Sequence, residues 1–401
     1  MRTIVFAIIS TVCTILAWLW WNDRGLAIGK EETLMKWISI LSLSLGKEFD
    51  HPPEDFLFIN TANDLQLVEA TDIEDMPIGN VAITDRAKLM ELFQSLSKYP
   101  EYKYIFLDIQ LDKRFETPFD SLLAEVINLT PRVVYAKHDV PLIDGLSPNK
   151  EGQVSYTTTW LNSDFCKYAL QTNNGPSMAY KAYREIFPEE DKDVLGSFMP
   201  RLFFNLKLKY SGNESYSNFF ASKNKIHHLG VDVLNPYVDF RKLIEDRYIF
   251  IGIFDSYDTH DTYLDRMDGI QIHANAFANL LKQNHQKHPL VIISIACISL
   301  IFYLLLFSRK KGNRRGLELP GIRNTMRGVR QKFQNKRWVR VILSFLTIEL
   351  SFILLFFFLL FSTGRIVEIT SISLLFTILW NLPSNRIYNY FKHHILKYGK
   401  T

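Results

Sequence analysis

The sequence predicts an α/β extracytoplasmic domain, with a mixed or mostly parallel sheet and packed helices, joined to four transmembrane α-helices. Three observations predict it. Through the middle of the chain, short and almost wholly apolar runs alternate with amphipathic stretches, the pattern of buried strands between helices. Long apolar runs flank that middle, one before it and three after. Positive charge is concentrated between two of those runs: from Arg309 to Arg340 about a dozen lysines and arginines face the single acid Glu318.

Composition fits the mixture. A 47% hydrophobic content with 30 Phe is high for a soluble protein, yet a mean hydropathy of -0.01 is not that of a polytopic transporter. The net charge of +4 is a local property of the basic block rather than the mark of a basic globular domain. Of three cysteines, Cys13 and Cys297 fall within apolar runs and Cys166 stands alone in the middle. No internal disulfide framework is available there, so an ordinary core must hold the domain.

In chain order, residues 4–21 form an apolar run ending in Trp18, Trp20 and Trp21. Its length suits a bilayer crossing and its tryptophans suit the interface. Bulky residues stand where a signal-peptide cleavage site would need small ones, so residues 1–21 read as an uncleaved signal anchor. Residues 31–45 look helical until His51-Pro52-Pro53 stops them. FLFIN (56–60) reads as a strand. DRAKLMELFQSLS (85–97) reads as a helix with Asp85 as cap and Leu89, Leu92, Phe93 and Leu96 on one face. YIFLDI (104–109) is a second buried strand, residues 119–128 an amphipathic helix, and VVYA (133–136) a third strand.

Residues 141–221 are less regular and read as an insertion, with 201–210 a candidate strand. Regular structure resumes at Val238 and leads to 247–281, RYIFIGIFDSYDTHDTYLDRMDGIQIHANAFANLL. There a buried strand (248–254) enters a loop crowded with Asp255, Asp258, His260, Asp261, Asp265 and Asp268. After Gly269 apolar residues return at helical spacing. Residues 290–307, 341–361 and 366–382 are the remaining spans, the last two separated only by residues 362–365.

Because Lys and Arg collect on cytoplasmic loops, the loop 308–340 and the tail 383–401 are expected inside. Counting crossings backwards puts residues 22–289 outside, periplasmic or extracellular, with both termini cytoplasmic in a bacterial-type inner or plasma membrane. Between two spans, the basic block is expected to set topology and touch anionic lipid headgroups rather than nucleic acid.

The residues of 247–281 resemble the CHASE type 2 sensory domain family, extracellular domains associated with cyclases and histidine kinases. The family's strand ending in "vIG" reads Ile251-Gly252 here. Its loop aspartate reads Asp261, and its "pGveiHAn" followed by a Leu-rich helix reads Gly269 to Asn275 and then Leu280-Leu281. Upstream, Asp85-Arg86 heads a helix where the family tends to have arginine, and Asp108 stands where it tends to have "fD". The chain departs from the family pattern at Thr262-Tyr263-Leu264, and at Asn60, where an acid is often seen. One span before the domain and three after also match. Members commonly continue into a kinase, cyclase or phosphodiesterase; this sequence runs about twenty residues past its last apolar run, which implies a stand-alone membrane form. The resemblance further implies a homodimer.

Asn60, Asp108 and Asp255 each lie at or beside the end of a buried strand. If the strands are parallel, their carboxyl ends share one edge, where open α/β sheets bind ligands. Arg86, Asp108, Asp255, Asp261 and His273 are therefore the candidate ligand-binding residues. Against that stands pairing of Arg86 with one or two of these acids as a closure of the domain, and a helix-capping or helix-orienting role for His273. The acidic loop matches no EF-hand, HExxH or Cys/His spacing, so no metal and no cofactor are expected. No catalytic residue set, P-loop, kinase signature or dinucleotide fingerprint is present, and the chain is not expected to be an enzyme. The function expected is a membrane sensor that binds an unidentified small molecule or ion outside. It would relay that signal through its helices to a cytoplasmic or membrane effector protein in trans. The alternative is a non-sensing scaffold or assembly subunit.

Overall fold

Five-residue apolar runs supply the centre of the fold. The structure is a computed structural model that describes residues 2–22, 53–71, 76–138, 140–154, 156–158, 165–172, 174–189, 198–199, 226–254, 259–261, 266–282 and 289–308. Its strands in chain order are β1 (Phe56–Asn60), β2 (Leu65–Thr71), β3 (Pro77–Thr84), β4 (Tyr104–Asp108), β5 (Val133–Lys137), β6 (Glu151–Gln153), β7 (Tyr156–Thr158), β8 (Phe165–Ala169), β9 (Gln171–Thr172), β10 (Gly175–Pro176), β11 (Phe198–Met199), β12 (Ile226–His228), β13 (Tyr248–Gly252), β14 (Thr259–Asp261) and β15 (Arg266–Asp268). The α-helices are α1 (Arg2–Asn22), α2 (Arg86–Lys98), α3 (Asp120–Leu129), α4 (Met178–Ile186), α5 (Phe240–Ile244), α6 (Gly269–Leu281) and α7 (Pro289–Ser308). The chain divides into two compact units, one of Met1–Arg24 with Lys287–Thr401 and one of Gly25–Gln286.

In the second unit β12-β1-β13-β4-β5-β6 form one six-stranded sheet whose described pairs are all parallel. The α/β class is thus as expected, and the central sheet is wholly parallel rather than mixed. Successive side chains of a strand point to opposite faces, and here the alternation sorts by chemistry. Leu57, Ile59, Ile105, Leu107, Ile249 and Ile251 join an aliphatic cluster with Leu89, Leu92, Phe93 and Leu96 of α2 and Leu123 and Ile127 of α3. Phe56, Phe58, Tyr104, Phe106, Tyr248 and Phe250 have the other parity and build an aromatic layer. Phe106 stacks on Phe250 with centroids 4.5 Å apart and meets Phe277 of α6 at 4.8 Å.

Side chains hold α2 at its start and α3 at its end. Asp85 caps α2, accepting from the Ala87 and Lys88 amides. Lys150 closes α3 from the other side, donating to the carbonyls of Ile127, Asn128 and Thr130, groups that a helix end leaves orphaned. Burial lowers the Lys150 pKa in doing so.

α6 differs from the one-faced helix its spacing suggests: Gly269 through Leu280 are all buried. Alanines 274, 276 and 278 allow close approach on several sides. The buried asparagines turn their side-chain amides back into the helix, Asn275 donating to the Gln271 carbonyl at 3.0 Å and Asn279 to the Asn275 carbonyl at 2.9 Å.

Elements absent from the expected set include the antiparallel hairpin β2–β3, the edge strands β12 and β6, the β11-β8-β7 antiparallel sheet, the β9–β10 pair and α4 inside the irregular region, and the β14–β15 ladder in the acidic loop. Each is short or polar and lacks a continuous apolar run. The expected helix at 31–45, strand at 201–210, basic block, and spans at 341–361 and 366–382 lie outside the described residues.

In the first unit α1 and α7 pair. Ala7, Thr11 and Thr14 are buried, as are Ile295, Ser299 and Tyr303, and the Thr14 and Tyr303 hydroxyls lie 2.7 Å apart. Ile4, Val5, Ile8, Ile9, Val12 and Leu16 are exposed on α1, as are Ile293 and Ile301 on α7. Side chains are described only for the central part of these two helices, and among the described residues no helix is long and apolar enough to cross a membrane.

Gly252 closes β13 where α6 crosses it. A methyl group there would sit 2.8 Å from Ile270 Cβ and 3.0 Å from its Cγ2. Gly252→Ala is therefore expected to destabilise the domain by about 1–3 kcal/mol through overpacking. A lower urea midpoint at unchanged m-value, measured on the full chain in mild detergent, checks it.

Candidate functional site

Parallel in-register pairing puts Asn60, Gly252 and Asp108 side by side at the carboxyl ends of β1, β13 and β4. All three continue the aromatic-face parity, so they crown the aromatic layer at the edge where parallel sheets bind ligands. The three positions serve different ends.

Asn60 is a clamp. Its Oδ1 accepts from the Ala62 and Phe254 amides, and its Nδ2 donates to the Phe254 carbonyl. An amide can do both; a carboxylate cannot donate. The position thus suits an asparagine.

Asp108 is the polar centre. Its side chain is 1% exposed, and neither carboxylate oxygen has a hydrogen-bond partner among the described residues. Two imidazoles stand just beyond hydrogen-bond range: His273 Nε2 is 3.7 Å from Oδ2, and His138 Nε2 is 3.6 Å from Oδ1. Burial pushes the Asp108 carboxyl up, but His273, His138 and His260 outweigh it and hold it below the ordinary carboxylate value. The site therefore keeps a buried negative charge.

His273 follows from helical geometry. It precedes Phe277 by one turn on α6, and Asp108 follows Phe106 by two residues on β4, so the ring contact extends into a His–Asp contact. The helix cap expected of His273 belongs instead to Asp268, which forms a capping box with Gln271, its amide donating to Gln271 Oε1 at 3.2 Å. The second nitrogen of His273 is also engaged: Nδ1 lies 2.7 Å from the Tyr168 hydroxyl. Tyr168 also accepts from the Ala179 amide, in the first turn of α4, at 3.4 Å.

Arg86 lies elsewhere. It opens α2, on the aliphatic side of the sheet, and is wholly buried. Its Nη2 donates to the Gln110 carbonyl at 3.1 Å, and its Nε is 3.7 Å from Asp120. Burial lowers its pKa, opposed by Asp120 and Asp112. Asp112 is in turn gripped by Arg114, with Nη2 to Oδ2 at 2.6 Å, and Asp120 accepts from Thr117. Arg86 is thus set among Asp120 and Asp112, neither of which is among the acids weighed as its closing partners.

Of the expected residues, the structure brings Asp108 and His273 together and does not bring Arg86 to them. Asp261 is placed by its backbone in β14, opposite Arg266; its side chain and all of Asp255 lie outside the described residues. His138 and Tyr168 are additions. His138 follows a buried strand as Asp108 ends one, so the same strand-end rule points to it. Tyr168 sits in the irregular region, where no periodic signal marks it. Among the described residues no group of three or more His, Cys, Asp or Glu is placed to hold a metal ion.

Comparison with known families matches residues 35–307 to the CHASE2 domain. No curated protein and no solved structure matches the chain.

The Arg86 and Asn60 arrangements predict distinct costs. Arg86→Ala, which strands buried carboxylates, is expected to cost about 3–5 kcal/mol. Asn60→Asp, which sets an oxygen against the Phe254 carbonyl, is expected to cost about 1–3 kcal/mol. Denaturant titration of each variant in the full chain measures both.

Proposed function

The chain belongs to the CHASE2 domain family of extracellular sensory domains, and from that premise we propose that it is an integral membrane sensor. Its domain faces the periplasm or the cell exterior, and binding of a small molecule or ion at the Asp108 edge is relayed through the membrane helices to an effector protein in trans. The observation that carries this is the buried, ionised Asp108 among imidazoles at a parallel-sheet edge. Burying such a charge is costly, and perturbed, desolvated groups of this kind cluster at functional sites.

The membrane part of the reading rests on the four apolar runs and on the apolar residues that α1 and α7 turn outward. A helix pair joined by hydroxyls with aliphatic residues outside suits a lipid surrounding. The basic block suits a cytoplasmic loop against anionic headgroups, with both termini inside. No catalytic set appears in the sequence, so the reading is of a non-enzyme; a homodimer fits the family.

Thermal unfolding of the full chain in mild detergent, screened against ions and small molecules, is the test. A ligand at 100 times its Kd stabilises the folded state by about 2.7 kcal/mol. Asp108→Asn is expected to remove that gain. No stabilising compound, together with a protein that copurifies stoichiometrically, would replace the sensor with a scaffold. For topology, cysteines introduced between 309 and 340 are expected to resist a membrane-impermeant thiol reagent that labels cysteines placed in β2–β3.

A further inference from the structure

Asp108 is surrounded by groups whose charge depends on pH. His273 faces it from α6, His138 from the chain leaving β5, and His260 lies within electrostatic reach from β14. Tyr168 of β8 stands behind His273. The other charged groups around this edge have partners of their own. Lys137 holds Glu151 at 2.6 Å and Arg114 holds Asp112, while Glu185 of α4, which accepts the Tyr104 hydroxyl, lies toward the opposite end of β4. Among the described residues no lysine or arginine lies within ion-pair distance of Asp108. The contrast with Arg86, whose cluster is built from permanent charges, is sharp.

Imidazole is the side chain that ordinarily changes charge between about pH 5 and 8. Resting on the sensor reading above, we propose that protons are a signal read at this site, through a chain running His138–Asp108–His273–Tyr168 from the surface to α4. His138, with a side chain 28% exposed, exchanges protons with solvent, whereas His273 and Asp108 are buried.

The relay follows from donor counting. When His273 is neutral, the Tyr168 hydroxyl donates to Nδ1 while accepting from the Ala179 amide, and the ring hydrogen sits on Nε2, toward Asp108. When His273 gains a proton admitted from solvent by way of His138, both ring nitrogens carry hydrogen. Nδ1–H then donates to the Tyr168 oxygen, and the tyrosine's own hydrogen must turn to another acceptor. The Tyr168 bond reverses at the point where that hydroxyl meets the first turn of α4. Meanwhile Asp108 gains a full counter-charge and draws the α6 side closer. The effect has two limits: it is lost on the alkaline side as the imidazoles deprotonate. On the acid side it is lost as pH falls through the depressed folded pKa of Asp108, below about 3.9.

Hydrogen exchange of the full chain in lipid nanodiscs, from pH 5 to 8 and corrected for intrinsic rates, tests this. Wild type is expected to show one titration in protection of the β8 and α4 peptides, with protection at least threefold higher at the acid end. Asp108→Asn is expected to abolish it, and His138→Gln, at a partly exposed position, to displace its midpoint. Tyr168→Phe is expected to silence α4 while α6 still responds. A flat wild-type profile would overturn the proposal, as would an unchanged titration in both Asp108→Asn and His138→Gln. A flat profile alongside a compound that stabilises the protein overturns the proton reading alone and leaves the sensor reading standing.

Discussion

The register of three neighbouring strands governs the rest of this domain. β1, β13 and β4 run parallel and in step, so one parity of side chains is aliphatic on every strand and the other is aromatic. A one-residue slip would exchange the two faces, putting rings against α2 and branched aliphatics against α6. The same register decides where polarity emerges. One step beyond the last aromatic, the three strands present an amide, a glycine and a carboxylate, and the glycine lets Ile270 of α6 close onto the sheet. Helix position, core chemistry and the place of Asp108 are thus consequences of a single alignment.

Two buried charge clusters occupy opposite faces of that sheet and differ in kind. Around Arg86 the partners are carboxylates and a second arginine, and the arrangement joins α2, α3 and the segment after β4. Around Asp108 the partners are imidazoles at 3.6 and 3.7 Å. Such distances are too long for strong hydrogen bonds and short enough that gaining or losing one proton matters. The first cluster suits permanence. The second suits response.

Much of this was legible in the residues. The strands 56–60, 104–108, 133–137 and 248–252 are continuous apolar runs, and such runs announce burial on both faces whatever surrounds them. The α2 cap was readable because Asp85 immediately precedes an apolar 3.6-residue period. Asp108 was found because it ends a strand, but its companion could not be chosen without the register: Arg86 and His273 are equally plausible neighbours until the sheet assigns them to opposite sides. His138 obeys the strand-end rule too, but stands outside the more conspicuous acidic loop. Tyr168 could not have been found, since its place depends on a short antiparallel sheet with no periodic signature.

The strand order has a temporal side. β13 lies between β1 and β4 in the sheet, yet it is made long after both, so neither can complete its inner pairing until residue 252 has been synthesised. Contacts between such distant segments are slow to form, because a long loop must close before they reward it. In the interval FLFIN and YIFLD expose unpaired edges of high aromatic content, the kind of surface that templates aggregation. A chain cut short anywhere before Tyr248 would leave those edges open for good, and a cell producing this domain must shield them until the last strand arrives.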